Sequence, residues 1–183
     1  MEQAYLKIIL GCMYAGKTSK LINIYKMMQF SNIPTLVINY KEDTRYSNTE
    51  LSTHDKKMIP CIQCLNLMEL IKDKSISEKV IIINEGQFFQ DLVIFVKEML
   101  KKNKHIYVCG LDGDYKMNKF GQILDIIPLC NEVEKLYAIC SICKNGTKAY
   151  FTKRITNEKE QTVIGSTNYL PVCRKCHLKS LII

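Results

Sequence analysis

Along the first two thirds of the chain the apolar positions fall into two alternating patterns. Tyr5–Leu10, Thr35–Tyr40, Val80–Ile83 and His105–Leu111 are short, nearly continuous apolar runs bounded by polar or turn residues. Runs of that length, rich in Ile, Val and Leu, predict buried strands. Between them the period lengthens. Leu21, Ile24, Tyr25 and Met28 recur at i, i+3, i+4 and i+7 and predict a helix over 20–30. Asp91 is placed to cap a helix over Leu92–Lys102, whose Leu92, Phe95, Val96 and Met99 share one face. Leu67, Leu70 and Ile71 predict a short helix over 65–72, Phe120–Ile127 a helix stopped by Pro128, and Lys135–Ile139 a last core strand. The polar stretch Lys41–Met58 reads as a loop. Strands and helices in alternation predict an α/β fold, a mainly parallel sheet with helices on both faces.

After Ile139 the alternation stops. Three short β-like pieces, Ala149–Ile155, Gln161–Ile164 and Tyr169–Val172, lie in a polar segment. The expected division is 1–138 for the α/β domain and 139–183 for an appendage. About 45 residues cannot build a core unaided, so the appendage needs a staple.

Two motifs carry chemistry. The first is Gly11-Cys12-Met13-Tyr14-Ala15-Gly16-Lys17-Thr18, a G-x-x-x-x-G-K-[ST] phosphate loop between the first predicted strand and the first predicted helix. Its backbone N–H groups and the helix N-terminus behind it would cradle a phosphate chain. Lys17 would reach the β/γ-phosphates and the Thr18 hydroxyl would bind Mg²⁺. The second is Cys140-Ser-Ile-Cys143, then 29 residues, then Cys173-Arg-Lys-Cys176. Two C-x-x-C knuckles complete a tetrahedral Cys₄ zinc shell, and a shell with no open position is structural. A redox dithiol at either pair, and His177 in place of Cys176, are the alternatives. A third pair, Cys61 and Cys64, reads as two buried, unligated thiols.

Val80–Ile83 runs into Asn84 and Glu85. In phosphate-loop proteins this strand usually ends in an Asp that holds Mg²⁺. Asn84 can accept from a metal-bound water but brings no charge. Glu85, at the carboxyl end of a strand where α/β sheets bind ligands, could take a proton from an attacking hydroxyl.

Composition narrows the class further. Of 183 residues, 47% are hydrophobic and 24% charged, ordinary for a globular protein. No apolar run reaches the roughly 18 residues of a membrane span, and the first residues do not read as a signal peptide. Nine cysteines, an odd number, argue against a disulfide framework, so a cytoplasmic chain is expected. The formal charge of +8 is scattered rather than gathered into a basic stripe, and nucleic-acid binding is not expected. Taken together these residues describe an ATP-using phosphotransferase with a zinc-stapled appendage. A phosphate-loop NTPase switch and a zinc-ribbon nucleic-acid binder are the competing classes. The guanine-reading Asn-Lys-x-Asp of a GTPase is missing, since Asn103-Lys104-His105-Ile106 lacks the Asp.

The chain resembles the thymidine kinases of the cytosolic type, found in animals, poxviruses and bacteria. The matching words, in order, include the phosphate loop, Asp43-Thr44-Arg45-Tyr46, Thr53-His54-Asp55, Glu85-Gly86-Gln87-Phe88-Phe89, Leu111-Asp112-Gly113, Phe120-Gly121, Thr152-Lys153-Arg154, Val163-Ile164-Gly165 and Val172-Cys173-Arg174-Lys175-Cys176. The resemblance implies a P-loop NTPase-like fold and transfer of the ATP γ-phosphate to the 5′-hydroxyl of thymidine, with deoxyuridine a further substrate. Another phosphate-loop nucleoside kinase is the near alternative. It implies Glu85 as general base, Arg45 stabilising the transferring group, and Asp43, Thr44, Asn84, Gly86 and Gln87 beside the ATP. Phe88, Leu111 and Tyr115 would wall the thymine pocket. A lasso loop of about Thr152 to Tyr169, anchored by the zinc site, would hold the base through Thr152, Gln161, Thr162, Val163, Ile164, Gly165 and Tyr169. A homotetramer and dTTP as feedback inhibitor are implied too. Three departures stand out. Asn84 replaces an Asp, Asp114-Tyr115 replaces Thr-Phe and adds a charge beside the pocket, and the lasso differs in length at both ends.

Overall fold

The computed structural model describes residues 3–41, 50–52, 58–73, 76–163, 165 and 167–179. In chain order, β1 (Tyr5–Gly11) leads through the phosphate loop into α1 (Lys17–Phe30) and β2 (Thr35–Tyr40). There follow β3 (Glu50–Ser52), β4 (Met58–Pro60), β5 (Ile62–Cys64), α2 (Glu69–Asp73) and β6 (Val80–Ile83). A 3₁₀ turn at Gly86–Phe88 precedes α3 (Leu92–Lys101) and β7 (His105–Gly110). A second 3₁₀ segment, Ile123–Leu129, precedes β8 (Glu132–Leu136). The carboxyl-terminal lobe holds β9 (Ala138–Ile139), β10 (Lys148–Ala149), β11 (Phe151–Arg154), β12 (Tyr169–Val172) and α4 (Arg174–Leu178).

Six strands form one sheet in the order β5-β2-β6-β7-β1-β8, and every pairing in it is parallel. Strand alternation sorts the side chains into two cores. Leu6, Ile8 and Leu10 of β1 join Ile81, Ile83, Val108 and the inner face of α3 (Leu92, Phe95, Val96, Met99). Ile9 joins Val37, Ile82, Cys109 and Leu21, Ile22 and Ile24 of α1 on the other side. This is the mainly parallel α/β sheet that the apolar runs predict, covered on both faces.

Several local expectations are corrected. The stretch read as a loop over 41–58 carries β3, which pairs antiparallel with β4 and buries Leu51 and Ile59 under the second core. The helix expected over 65–72 is confined to Glu69–Asp73. Asp91 stands at the N-cap position of α3 as expected, but its Oδ2 accepts the Met68 N–H at 2.8 Å and it makes no side-chain cap bond. The helix expected over 120–127 is the 3₁₀ segment, with Pro128 inside it and i→i−3 bonds such as Asp125 N–H to Gln122 O. The last core strand starts at Glu132, and Ala138–Ile139 pairs instead with β10 in the smaller lobe. Gln161–Val163 is not a strand. Cys64 is buried and Cys61 half-buried, and desolvation pushes the Cys64 thiol up to about 12.

Candidate active site

The phosphate loop sits at the carboxyl end of β1. Its backbone enters the left-handed region at Tyr14 (φ 63°) and Gly16 (φ 82°), then turns into α1. The N-cap residue of α1, Gly16, has no side chain to cap it, and the first turn has no acidic residue, which suits an anion at the first-turn N–H groups. Lys17 is buried, and its Nζ donates to the loop's own Cys12 carbonyl at 2.9 Å. Thr18 stands half-buried in the first turn. The loop leans on the smaller lobe. Met13 N–H donates to Thr152 Oγ1 at 3.1 Å and the Cys12 thiol to Ala149 O at 3.3 Å. Cys12 also packs with Ala138, Cys140, Val172 and Cys176.

Glu85 follows β6 at the same end of the sheet. β7 lies between β6 and β1, so the two strand ends are about 10 Å apart. Glu85 holds left-handed backbone angles, φ 54° and ψ 44°, a conformation of some cost for a non-glycine residue. Its Oε2 accepts a 2.7 Å hydrogen bond from Gln87 Nε2. Gln87 is 1% exposed, and its Oε1 accepts the Leu111 N–H at 3.0 Å. Both ends of this amide are thus engaged inside the protein. Gly86 is buried beside it. Asn84 is buried too: its Nδ2 donates to Asn39 Oδ1 at 2.8 Å and its Oδ1 accepts from the Cys109 thiol at 3.0 Å. Desolvation, then the nearby Glu85 charge, push the Cys109 thiol up to about 12, so it stays a protonated donor. Both ends of the Asn84 amide are thus committed to this triad.

The zinc cysteines converge. The Sγ atoms of Cys140, Cys143, Cys173 and Cys176 all lie within 4.8 Å of one another, with Cys143 at 3.4 Å from Cys176 and 3.8 Å from Cys173. The edge of a tetrahedron with zinc–sulfur bonds of about 2.3 Å is about 3.8 Å, so the set fits one zinc ion. Burial would raise the Cys140 thiol, but N–H groups of Cys143, Cys173 and Ile142 outweigh it and draw the thiol down to about 6. Among the described residues no other cluster of this kind occurs.

β11 and β12 leave this site as an antiparallel pair and carry the loop expected to hold the base. Thr152, buried, faces the phosphate loop through its Met13 bond. Tyr169 is buried, and its hydroxyl donates to Val163 O at 2.9 Å. Gln161 Nε2 donates to Asp114 Oδ2 at 2.9 Å. Thr162 is exposed; Val163 and Gly165 are half-buried. Tyr115 is half-buried and its hydroxyl donates to Lys159 O at 2.9 Å. Asp114, expected as an added charge beside the pocket, is buried and holds the Lys116 and Asn118 N–H groups on Oδ1. Phe88 is half-buried between Tyr40 (ring centroids 5.1 Å apart) and Phe120 (5.5 Å, edge-on). Asp43, Thr44, Arg45 and Ile164 lie outside the described residues. The residues that sequence reasoning missed are Asn39, Cys109 and Arg154. For Arg154 a signal existed: Lys153-Arg154 puts two cations at the end of a strand that must pack on the zinc lobe.

Comparison with known proteins adds a family. A family model described as thymidine kinase matches residues 4–177. The thymidine kinase of Yaba monkey tumor virus is 42% identical over 179 residues, 97% of each chain. That of sheeppox virus is 39% identical over 97% of this chain and 98% of its own. Human cytosolic thymidine kinase is 38% identical over 95% of this chain and 73% of its own. Among solved structures, domain III of the Thermotoga maritima replication initiation protein DnaA aligns with a TM-score of 0.45 at 16% identity, over 74% of this chain and 55% of that one.

Proposed function

Given that this chain belongs to the thymidine kinase family and phosphorylates thymidine, we propose that ATP is the phosphate donor and that Glu85 is the general base. The triphosphate lies on the Gly11–Thr18 loop, with Lys17 released from the Cys12 carbonyl to the β/γ-phosphates. The Glu85 carboxylate takes the proton from the 5′-hydroxyl as that oxygen attacks the γ-phosphorus, and the bond to the ADP oxygen breaks. The Thr18 hydroxyl would hold a Mg²⁺ ion, which when bound would supply charge neutralisation for the transferring group. Asp43 and Arg45 line the phosphate side; Phe88, Leu111 and Tyr115 line the base. Residues 1–138 form the donor half, and 139–183 the zinc-stapled lobe whose loop covers the nucleoside. Deoxyuridine as a further substrate, a homotetramer, dTTP inhibition and a cytoplasmic location complete the reading. Among the described residues no helix is long and apolar enough to cross a membrane.

One observation carries this reading: Glu85 and the phosphate loop terminate parallel strands at the same end of one sheet, with β7 alone between them. Transfer needs mostly positioning and charge neutralisation, and the crevice at those strand ends supplies both. The test is Glu85→Gln, assayed with ATP across thymidine, deoxyuridine and deoxycytidine. ATP binding should persist while kcat falls by about 10²- to 10⁴-fold. A near-normal kcat would remove Glu85 as the base. No transfer from ATP to any nucleoside by the wild type would end the donor assignment.

A further inference from the structure

Arg154 ends β11, where the chain leaves the zinc lobe for the loop. It is 6% exposed. Nη1 donates to Glu158 O at 2.9 Å and Glu160 O at 2.5 Å, and Nη2 donates to Gln161 O at 3.2 Å and to the Tyr169 hydroxyl at 2.6 Å. The guanidinium plane also lies over the Tyr115 ring, 3.8 Å from its centroid. A turn whose carbonyls point inward at one place needs several donors in a fixed fork. Guanidinium provides that fork, and an ammonium does not. Aromatic faces on a buried cation add attraction and keep water from the carbonyls.

The outer side of the same turn is tied to a second element. Tyr115 Oη reaches Lys159 O, and Gln161 Nε2 reaches the Asp114 carboxylate, at 2.9 Å each. Asp114 is itself fixed by two backbone N–H groups. The Tyr115 carbonyl lies 2.9 Å from His177 Nε2, on the helix of the second zinc knuckle. These contacts all join groups of the protein itself.

We propose that Arg154 is a positioning residue for the nucleoside: it holds the 158–163 turn against the Asp114–Tyr115 segment, and so sets the shape in which that turn meets the acceptor site. The proposal rests on the reading of this loop as the nucleoside-binding one. A turn held from within by Arg154 costs less to order around thymidine, and the ATP side is left untouched.

Steady-state kinetics of Arg154→Met test this, because Met keeps an apolar stem and removes every donor. The KM for thymidine should rise about 10- to 100-fold, as expected for losing several charge-assisted bonds. The kcat and the KM for ATP should stay within about threefold and zinc content should stay at the wild-type level. Arg154→Lys should recover less than half of the loss. Tyr115→Phe, which removes one hydroxyl bond and keeps the ring, should raise the thymidine KM about two- to fivefold. Trypsin without nucleoside should cleave after Lys159 faster in both Arg154 variants than in wild type. An unchanged thymidine KM in Arg154→Met would overturn the proposal. So would parallel rises in both KM values with loss of zinc, which would mark general unfolding. Should Arg154→Met fail to fold, Tyr115→Phe decides, since a thymidine KM equal to wild type there would also overturn it. Wild type that transfers nothing to thymidine would instead sink the site assignment on which the proposal stands.

Discussion

The seat of Gln87 makes a sharp prediction about Gly110, the last residue of β7. A methyl group on Gly110 would lie 2.2 Å from Gln87 Oε1 and 2.8 Å from Ile123 Cδ1. Ordinary contact begins at 3.4 Å, so the amide must retreat by about 1 Å. It could not then keep both the 3.0 Å bond from Leu111 N–H and the 2.7 Å bond to Glu85. Retreat is blocked on another side, because the backbone of Gln87 meets Gly121 so closely that a Cβ there would stand 1.9 Å from the Gln87 carbonyl oxygen. A shift of about 1 Å in the group that orients the base costs about 10²-fold in rate. Gly110→Ala should therefore lower kcat with ATP and thymidine by about 10- to 100-fold. Overpacking should cost about 1–3 kcal/mol of stability, several degrees in Tm for a chain of this size. The decisive assay is the cycle with Gln87→Ala. Without the Gln87 amide the worst clash is gone and the closest one left, with Ile123 Cδ1, is at the end of a side chain that can shift away from the base, so Gly110→Ala should add little to the kcat loss of Gln87→Ala, a coupling of about 1.5–3 kcal/mol. Equal losses in both backgrounds, or a single variant with near-wild-type kcat, would refute the reasoning.

Two further predictions concern the frame. Cys173→Ser should lose the zinc ion and weaken both ATP and thymidine binding, read by metal analysis and both KM values; active, zinc-free protein would contradict the staple. At the sheet edge, Lys7 of β1 bridges Glu132 and Glu134 of β8 at 2.7 and 2.8 Å, and Lys20 reaches Glu134 at 3.0 Å. The hydrogen bond from Lys7, against some desolvation, holds Glu134 below its ordinary 4.5. Its folded value is the depressed one, so its stabilisation is complete above about 4.5 and fades as pH falls through that lower value. Urea unfolding of Lys7→Met should depend less on pH below about 4.5 than wild type does, and identical pH dependence would show that the bridge is idle.

What the sequence made legible, and what it hid, follows from range. Val80–Ile83 reads as a buried strand because four β-branched residues in a row suit neither a helix nor a surface. The zinc knuckles read at once because each needs only two cysteines three apart. The antiparallel pair of β3 and β4 is hidden, since three residues per strand are too few to establish an alternation. The 3₁₀ segment passed for an α-helix because seven residues cannot separate a period of 3.0 from one of 3.6. Asn84 could be read as a strand-end residue. Its partners Asn39 and Cys109 lie on two other strands, and nothing local pairs them.

The deepest of these non-local contacts changes what the zinc site is for. By spacing, four cysteines pin the base of a long loop, and the family resemblance implies that this loop serves the acceptor side. In the fold, Cys140 and Cys176 share one buried cluster with Cys12 of the phosphate loop, and the strand that starts the lasso holds the Met13 N–H through Thr152. A phosphate loop works by keeping its N–H groups aimed while no phosphate is present, and Tyr14, a non-glycine residue in the left-handed region, needs surrounding structure to hold that aim. Here part of that surrounding structure is the lobe that carries the Cys₄ cluster. The same lobe grips the 158–163 turn through Arg154. One ion in that cluster would thus brace the phosphate loop on one side and the 158–163 turn on the other, which is why its loss should disturb ATP and thymidine together, whereas loss of Arg154 should disturb thymidine alone.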